Sequence, residues 1–482
     1  MINYISTQPG TGKTHYMISE VIKTYKDVKH LIVQPTMKLQ EETNEVLSLI
    51  GEHVKLLNTD SKNENLIQDI RTALRDDSVR VLLITERMFY LLAPSELKKH
   101  KTWMDDCIEF SKNYFTGIAL NDYDNWSTIF NETVFQFISV HNAHFDNVVL
   151  NEATPEMSDE VVHIITKLKS LMRGFNKLAV NNDYANNPPK EDQKRFITLV
   201  GWHDLSDYCS LDICYMANDF DSSLLYQYNQ SYFVKVNFTG KANIDTNRLD
   251  VRYFVPSTSL KFGLTKGYTD DVEGKNLLNN MVAYINSNES KLYYTENTNI
   301  TLDVGEKYSP NLRGINTLQH MNTCAWFSCM NGTTPEINTY KKLFGFTSNQ
   351  IKTEREYSVL FQFICRGGIR RRDSTEKMVV YVVSEDQARF ISNNPTYIDL
   401  NITHKKATKP GPIPKLTEEQ QLAWNAYKTQ FKRLMKKNEK MSTNVQPEKV
   451  EDFINRIKLN EELSNYINVQ FEKFLTKLNN KK

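Results

Sequence analysis

The sequence predicts an α/β protein with two parallel-sheet domains in tandem, followed by a helical C-terminal region. In the first half, short β-branched runs alternate with longer amphipathic stretches, which is typical of strands joined by helices in a parallel sheet. A second alternation of this kind begins near residue 250, and mainly helical patterns follow residue 415. We therefore place the domains at 1–245, 246–400 and 401–482.

The elements of the first domain follow from its apolar runs. Four runs have the length of buried strands, and the stretches between them have helical periodicity. The predicted strands are 2–6, 30–34, 79–85 and 147–151, and the predicted helices are 14–26, 37–50 and 64–75. Residues 95–145 interrupt the alternation with a helical stretch and an aromatic-rich segment, so we interpret them as an insertion.

The second domain repeats the alternation, which weakens in the basic segment that follows it at 405–415. The lysines and three prolines of that segment oppose regular structure. The predicted strands are 253–257, 291–295, 324–329 and 378–383, and the helices predicted after the basic segment are 417–440, 450–459 and 461–478.

The composition is that of an ordinary globular protein and excludes several classes. Hydrophobic residues make up 40% and charged residues 24% of the 482, and the net charge of +1 excludes a uniformly basic surface. Positive charge for a nucleic-acid partner must therefore be local. The sequence has no run of about 18 apolar residues and no signal-peptide pattern. Its six cysteines form no CxxC pair, so we expect a cytoplasmic protein with free thiols and no membrane contact.

A phosphate-binding loop is the most specific pattern in the sequence. The apolar strand 2–6 runs directly into TQPGTGKT, and a helical pattern follows. The two loop glycines allow backbone N–H groups and the helix N-terminus to face phosphates. Lys13 would reach the β- and γ-phosphates, and Thr14 would hold Mg²⁺. The loop begins with Thr7 where the common pattern has Gly. The predicted cofactors are ATP and Mg²⁺, bound by Gln8, Pro9, Gly10, Thr11, Gly12, Lys13 and Thr14.

Further segments resemble superfamily 2 helicases in their order and spacing over residues 3–385, most of all the compact phage and viral ones. VQPTMKLQEE resembles motif Ia of that family, and LLITERMFY resembles motif Ib. The resemblance implies two RecA-like domains and contacts to a nucleic-acid strand from Pro35, Thr36 and Thr85. Taken alone, each segment also fits a strand end with a capping threonine.

FDNVVLNEATPE at 145–156 resembles the Walker B strand of these helicases, which ends in Asp-Glu-Ala. Here the ending is Asn151-Glu152-Ala153, and the resemblance implies that Glu152 polarises the attacking water and contributes to the metal site. Asn151 replaces the usual metal-holding Asp with a neutral amide, which weakens the site. A competing interpretation places the acid at Asp122, but we prefer Glu152 because the following Ala also matches the family.

Three later segments resemble motifs III, IV and V. Residues 216–218 (Met-Ala-Asn) occupy the place of motif III, although a core strand followed by a capped helix is an equal interpretation. KLYYTENT resembles motif IV, and RGIN resembles motif V, which lies near both ATP and the strand. The resemblance implies a nucleotide contact from Gly314 and nucleic-acid contacts from Thr295, Arg313 and Asn316.

QFICRGGIR resembles motif VI. A helix would place Gln362, Arg366 and Arg370 on one face. Two guanidinium groups there can approach the γ-phosphate of a nucleotide held by the first domain and stabilise charge during phosphoryl transfer. The alternative is a solvated basic face, since Arg371 and Arg372 follow at once.

Positive charge is concentrated after the second domain. Between residues 405 and 440, ten Lys or Arg residues are opposed by three Glu. We predict salt-sensitive contacts to a nucleic-acid backbone from Lys405, Lys406 and Lys409. A solvated helix is an equal alternative. Apolar stripes on the last two predicted helices indicate docking, either on the motor or on a protein partner.

These features predict an ATP-dependent nucleic-acid helicase or translocase that unwinds DNA in phage-type replication or recombination. The expected partner is single-stranded or forked DNA. Two alternatives stay open: an RNA helicase, and a nucleotide-dependent switch or scaffold whose hydrolysis is weakened by Asn151. A packaging motor is less favoured, because no cluster of acidic nuclease residues follows residue 400.

Overall fold

The computed structural model describes most of the two predicted α/β domains. The described residues are 1–58, 65–118, 135–151, 166, 168–182, 195–257, 272–297, 302–312 and 317–401, and the structural statements below refer to them. The described residues all belong to one compact unit, Met1–Lys405. The basic segment and the predicted C-terminal helices lie outside the described residues.

Strands and helices alternate along much of the described chain. The strands of the first half are β1 (Ile2–Thr7), β2 (Lys29–Gln34), β3 (Val54–Leu56), β4 (Val81–Thr85), β5 (His100–Asp105), β6 (Ser111–Ile118), β7 (Phe135–Val140), β8 (Phe145–Leu150), β9 (Lys177–Asn181), β10 (Arg195–Trp202), β11 (Ile213–Asn218) and β12 (Phe233–Lys235). Those of the second half are β13 (Leu249–Val255), β14 (Leu292–Thr295), β15 (Gly305–Lys307), β16 (Thr323–Trp326), β17 (Met378–Ser384) and β18 (Thr396–Tyr397). The α-helices are α1 (Lys13–Thr24), α2 (Met37–Leu47), α3 (Leu66–Arg75), α4 (Glu86–Phe89), α5 (Pro94–Leu97), α6 (Leu224–Tyr228), α7 (Val272–Asn288), α8 (Thr334–Phe344), α9 (Ser348–Lys352), α10 (Ser358–Ile364) and α11 (Glu385–Ile391).

The first sheet has seven parallel strands in the order β12-β1-β11-β5-β2-β4-β3. β2 and β11 are buried at every position, as expected for strands that are covered on both faces. Helix α1 contributes Met17 and Val21, both fully buried, to a core that includes Ile5, Ile32 and Trp103 of the sheet. The carboxyl ends of β1, β11, β5 and β2 therefore meet at one edge.

A five-stranded antiparallel sheet, in the order β6-β10-β9-β8-β7, is inserted between β5 and β11. The pairing of these strands corrects two predictions made from the sequence. The predicted parallel strand 147–151 is β8, which pairs antiparallel with β7 and β9. β5, which lies inside the predicted insertion, pairs parallel with β2 and β11 in the first sheet. A short apolar run does not reveal its pairing partner, because pairing depends on residues distant in sequence.

The second parallel sheet has six strands in the order β15-β14-β16-β17-β13-β18. Its two faces carry separate buried clusters, one around Phe363 and Val380 and the other around Met281 and Phe254. The predicted fold class is confirmed for the described residues: two RecA-like parallel α/β domains stand in tandem. Below, residues 1–235 are called the first lobe and residues 249–397 the second lobe.

Helix α8 and the turn after it pack into the core of the first lobe, although they belong to the second lobe in sequence. The ring of Phe344 lies 4.9 Å from that of Phe110 and 5.4 Å from that of Trp202. Phe346 is 5.6 Å from Phe110, and Ser111 Oγ donates a hydrogen bond of 2.7 Å to the Tyr340 hydroxyl. We call these five aromatic residues the aromatic clasp, since they hold the two lobes together.

Over the described part of the chain, none of the helices is both long enough and apolar enough to span a bilayer.

The aromatic clasp predicts a large loss of stability for Phe110→Ala. Phe110 is only 2% exposed and contacts rings from both lobes. Removing a buried ring costs about 3–5 kcal/mol, which chemical denaturation would measure as a lower free energy of unfolding. Leu49→Ala is the matched control, because Leu49 is 82% exposed and its loss should change stability by about 0.5 kcal/mol at most. Equal effects of the two substitutions would contradict the clasp.

Candidate nucleotide site

The loop between β1 and α1 has the shape of a phosphate cradle. Gly10 and Gly12 have φ values of 74° and 95°, in the left-handed region that glycine adopts without a Cβ clash. Gly12 is the N-cap residue of α1 and offers no side chain to the free N–H groups of the first turn, which holds no acidic residue. The start of α1 is therefore open to an anion.

Lys13 is held against its own loop. Its Nζ atom donates to the carbonyl oxygens of Thr7 at 3.3 Å and Gln8 at 3.2 Å. Burial lowers the pKa of Lys13, while the carboxylates of Asp106 and Asp105 oppose that shift. Its partners in the loop are neutral carbonyl oxygens, so a phosphate oxygen can replace them as the acceptor for Nζ.

The acid of the first sheet is Asp105, at the end of β5. Thr14 Oγ1 donates to Asp105 Oδ2 at 3.1 Å, and Gln34 Nε2 donates to the same oxygen at 3.0 Å. Asp105 is 1% exposed, and burial together with Asp106 raises its pKa to about 7, against the hydrogen bonds from Gln34 and Thr14. Asp106 follows with φ of 59°, and its N–H donates to the Met216 carbonyl at 2.8 Å.

This geometry corrects the sequence-based choice of the acidic strand. Asn151 follows β8 in the antiparallel sheet, outside the sheet of the phosphate loop, and Glu152 lies outside the described residues. The competing candidate, Asp122, also lies outside them, after β6 of the same antiparallel sheet. The available signal was Trp-Met-Asp-Asp at 103–106, an apolar run that ends in two acids. We did not recognise this strand in the sequence because its apolar run is short and follows a His and a Lys.

The second lobe completes the cavity. Gln362, Arg366 and Arg370 line the same cavity of about 790 Å³ as Lys13 and Thr14. The structure thus places these five predicted site residues around one cavity, whereas Glu152, predicted with them, lies outside the described residues. Burial and the neighbouring Arg366 lower the pKa of Arg370, as expected where cations are crowded.

Two arginines of the second lobe touch the phosphate loop itself. A Cβ atom placed on Gly10 would lie 2.9 Å from Arg370 Nε, so the glycine is needed for this approach as well as for its φ. Arg372 Nη2 donates to the Gly10 carbonyl at 2.9 Å, whereas Arg371 pairs with Glu376 within its own lobe.

The predicted single helix through these arginines is wrong. Helix α10 carries Gln362 and ends at Ile364, and a 3-10 turn at Gly368–Arg370 follows. Two consecutive glycines disfavour helix, and the N–H of Gly368 donates instead to the Met321 carbonyl at 2.7 Å. The side chains converge through the turn and not through helical spacing.

Lys241 lines the cavity and was missed by the sequence analysis. Its N–H donates to the Thr11 carbonyl at 2.9 Å, and a Cβ atom on Gly240 would lie 2.6 Å from the same oxygen. Gln8 is held from the same segment, since the Ile244 N–H donates to its Oε1 at 2.8 Å. The segment after β12 therefore wraps the phosphate loop. A Gly-Lys pair in a loop was its only sequence signal.

The residues predicted to contact nucleic acid differ in accessibility. Pro35 and Thr36 follow β2, and the Thr36 hydroxyl accepts a hydrogen bond from the Leu39 N–H as the N-cap of α2. Thr85 ends β4 and is partly exposed. Thr295 is fully buried, so its side chain has no surface to offer to a strand. The predicted site residues outside the described part of the chain are Glu152, Arg313, Gly314, Asn316, Lys405, Lys406 and Lys409.

The oxygen donors fit Mg²⁺. No group of three His, Cys, Asp or Glu residues in the described ranges is arranged to hold a metal ion. Mg²⁺ at a nucleotide needs only one or two protein oxygens, since phosphates and water supply the others. The Thr14 hydroxyl and the Asp105 carboxylate, 3.1 Å apart, are hard oxygen donors beside the phosphate cradle. They match the chemistry of that ion.

No family model matches this chain, and no curated protein matches it. Among solved structures, the chain is similar to S. tokodaii Xpd4, with 12% identity over 82% of this chain and 96% of that one and a TM-score of 0.41. It is also similar to the DUF1998 helicase MrfA bound to DNA, with 11% identity, 82% and 50% coverage and a TM-score of 0.32. The chain thus spans about half of MrfA. A third similar structure is a hypothetical ATP-dependent RNA helicase from Sulfolobus tokodaii, with 9% identity, 81% and 90% coverage and a TM-score of 0.24. Similarity at this level does not establish a shared function.

The corrected acid predicts opposite outcomes for two substitutions. Asp105→Asn removes the carboxylate beside Thr14. In the presence of an ATP analogue, the affinity for Mg²⁺ should therefore fall by about 10- to 100-fold. Asn151→Asp should leave it unchanged, because β8 is not in the sheet of the phosphate loop. Titration of a fluorescent analogue at several Mg²⁺ concentrations measures both. A gain from Asn151→Asp would restore the original assignment of the acidic strand.

Proposed function

We propose that this chain is an ATP-dependent nucleic-acid helicase or translocase that acts on single-stranded or forked DNA. The observation that carries the proposal is the convergence of two lobes on one cavity. Lys13, Thr14 and Asp105 come from the first lobe, and Arg366 and Arg370 come from the second. A nucleotide site assembled from two lobes can turn hydrolysis into movement between them.

The proposed chemistry assigns a role to each side chain. The glycine loop and Lys13 hold the β- and γ-phosphates, and Arg366 with Arg370 stabilises the charge that develops on the transferred phosphoryl group. Thr14 and Asp105 would hold Mg²⁺, which would supply positive charge to offset that of the phosphates. Asp106, which lines the same cavity, would orient the attacking water and accept its proton.

Movement between the two lobes would follow from whether the cavity holds the γ-phosphate. The γ-phosphate would attract the arginines of the second lobe towards the loop. Its release as inorganic phosphate after hydrolysis would end this attraction. Pro35 and Thr36 follow β2, which lies beside β5, and Thr85 ends β4, which lies beside β2. There they would hold a nucleic-acid backbone. Arg313, Gly314, Asn316 and the basic residues Lys405, Lys406 and Lys409 remain proposed contacts on the sequence pattern alone.

The proposal extends to a cytoplasmic role in DNA unwinding during phage-type replication or recombination, with the C-terminal helices predicted from the sequence as a docking region for a protein partner. The alternative of a switch with weak hydrolysis relied on Asn151 as a degraded metal ligand. Asp105, an intact acid beside Thr14, removes that reason. RNA as the substrate is decided by the experiment below.

ATP hydrolysis should be stimulated by the correct nucleic acid. We expect single-stranded and forked DNA to raise the rate of phosphate release more than duplex DNA or RNA does. The stimulation should fall as salt rises, because phosphate contacts release counterions. Hydrolysis that no nucleic acid stimulates would overturn the motor proposal, and stimulation by RNA alone would make the protein an RNA helicase.

Lys13→Ala should abolish hydrolysis while the protein stays folded, because it removes the cation of the phosphate cradle. The expected loss is about 100-fold or more, measured as phosphate release, with circular dichroism to verify the fold. Lys23→Ala is the matched control: Lys23 lies on the same helix, with its side chain 66% exposed. Retention of activity by Lys13→Ala would mean that ATP is hydrolysed elsewhere.

A further inference from the structure

We propose that Gln34 is a positioning residue, which holds the Asp105 carboxylate at the metal site and links it to the strand ends that would contact nucleic acid. This inference rests on the proposed function, because it assigns a role to a residue beside the same site. Gln34 lies outside the phosphate loop, and the sequence analysis gave it no role.

Both N–H groups of the Gln34 amide donate hydrogen bonds. Nε2 donates to Asp105 Oδ2 at 3.0 Å and to Thr43 Oγ1 at 2.9 Å. A carboxylate that holds Mg²⁺ is ionised and only accepts hydrogen bonds, so in that state the nitrogen and not the oxygen of the amide would face Asp105. The two N–H groups therefore tie the end of β2 to the end of β5 and to helix α2.

Gln34 is also wholly enclosed. It is 0% exposed, and its Oε1 atom has no hydrogen-bond partner in the described part of the structure. A buried acceptor without a partner costs stability, which offsets part of what the two N–H hydrogen bonds contribute.

The neighbours of Gln34 lie on the proposed nucleic-acid side. Pro35 follows directly in the chain, and Thr85 is the register partner of Gln34 across β2 and β4. Thr43 belongs to α2, whose N-cap is Thr36. A nucleic-acid strand bound at the ends of β2 and β4 would displace β2 or α2. The Gln34 amide would transmit that displacement to Asp105.

Gln34→Met tests the proposal, since it keeps the length of the side chain and removes both N–H groups. We expect Mn²⁺, used as the probe for Mg²⁺, to bind about tenfold more weakly in the presence of a non-hydrolysable ATP analogue, as followed by electron paramagnetic resonance. Binding of the analogue in EDTA should be unchanged. The stimulation of hydrolysis by single-stranded DNA should fall several-fold, while the affinity for that DNA is kept.

Gln40→Met is the matched control. Gln40 lies on α2, is equally buried at 0% exposed, and has no hydrogen-bond partner for either atom of its amide among the described residues. Its substitution should leave Mn²⁺ binding and stimulation unchanged. Thr43→Val, which cuts only the link to α2, should keep Mn²⁺ binding and lose part of the stimulation.

The outcomes separate this inference from the proposed function. Unchanged Mn²⁺ affinity in Gln34→Met, or equal losses in Gln34→Met and Gln40→Met, would overturn the role of Gln34. If the unaltered protein binds Mn²⁺ with the analogue but no nucleic acid stimulates it, the motor proposal fails while weaker Mn²⁺ binding by Gln34→Met still supports positioning. If the unaltered protein binds no Mn²⁺ with the analogue, both are wrong.

Discussion

The hydrogen bond between Thr14 and Asp105 is the contact around which the site is arranged. It joins the first turn of α1 to the end of β5, two elements separated by 91 positions in sequence. The contact exists because β11 lies between β1 and β5, with Met216 opposite both Ile5 and Asp105. Parallel strands with this register bring their carboxyl ends to one edge, where a phosphate loop and an acid can act on the same ligand.

The second lobe reaches this edge through one continuous segment. The segment begins with α8 in the aromatic clasp, passes through α9 and α10, and ends at the arginines that contact Gly10. Glu354, between α9 and α10, accepts a hydrogen bond from the Leu224 N–H of the first lobe. The arginines are thus attached to the first lobe at two further points along their own segment. Movement of the second lobe must either bend this segment or carry it along.

The charged side chains that line the cavity favour the binding of a polyphosphate. Lys13 is buried and Arg370 is partly buried. Burial lowers the pKa of both groups, and the neighbouring Arg366 lowers that of Arg370 further. Asp105 is a buried acid whose pKa is raised to about 7, chiefly by burial. A nucleotide triphosphate with Mg²⁺ would neutralise both sets of charges at once. Under the proposed function, closure of the lobes and ligand binding would therefore be coupled in free energy.

The sequence by itself determined the alternation of strands and helices and the phosphate loop, because both depend on residues close together in the chain. The convergence of Gln362, Arg366 and Arg370 was also predictable, although the helix assumed for it ends at Ile364. Only the tertiary structure decided which strand carries the acid, since pairing of β5 with β11 is non-local and an apolar run does not specify its neighbour. The same holds for the burial of Thr295 and for Gln34, whose importance lies in what the fold places against its amide.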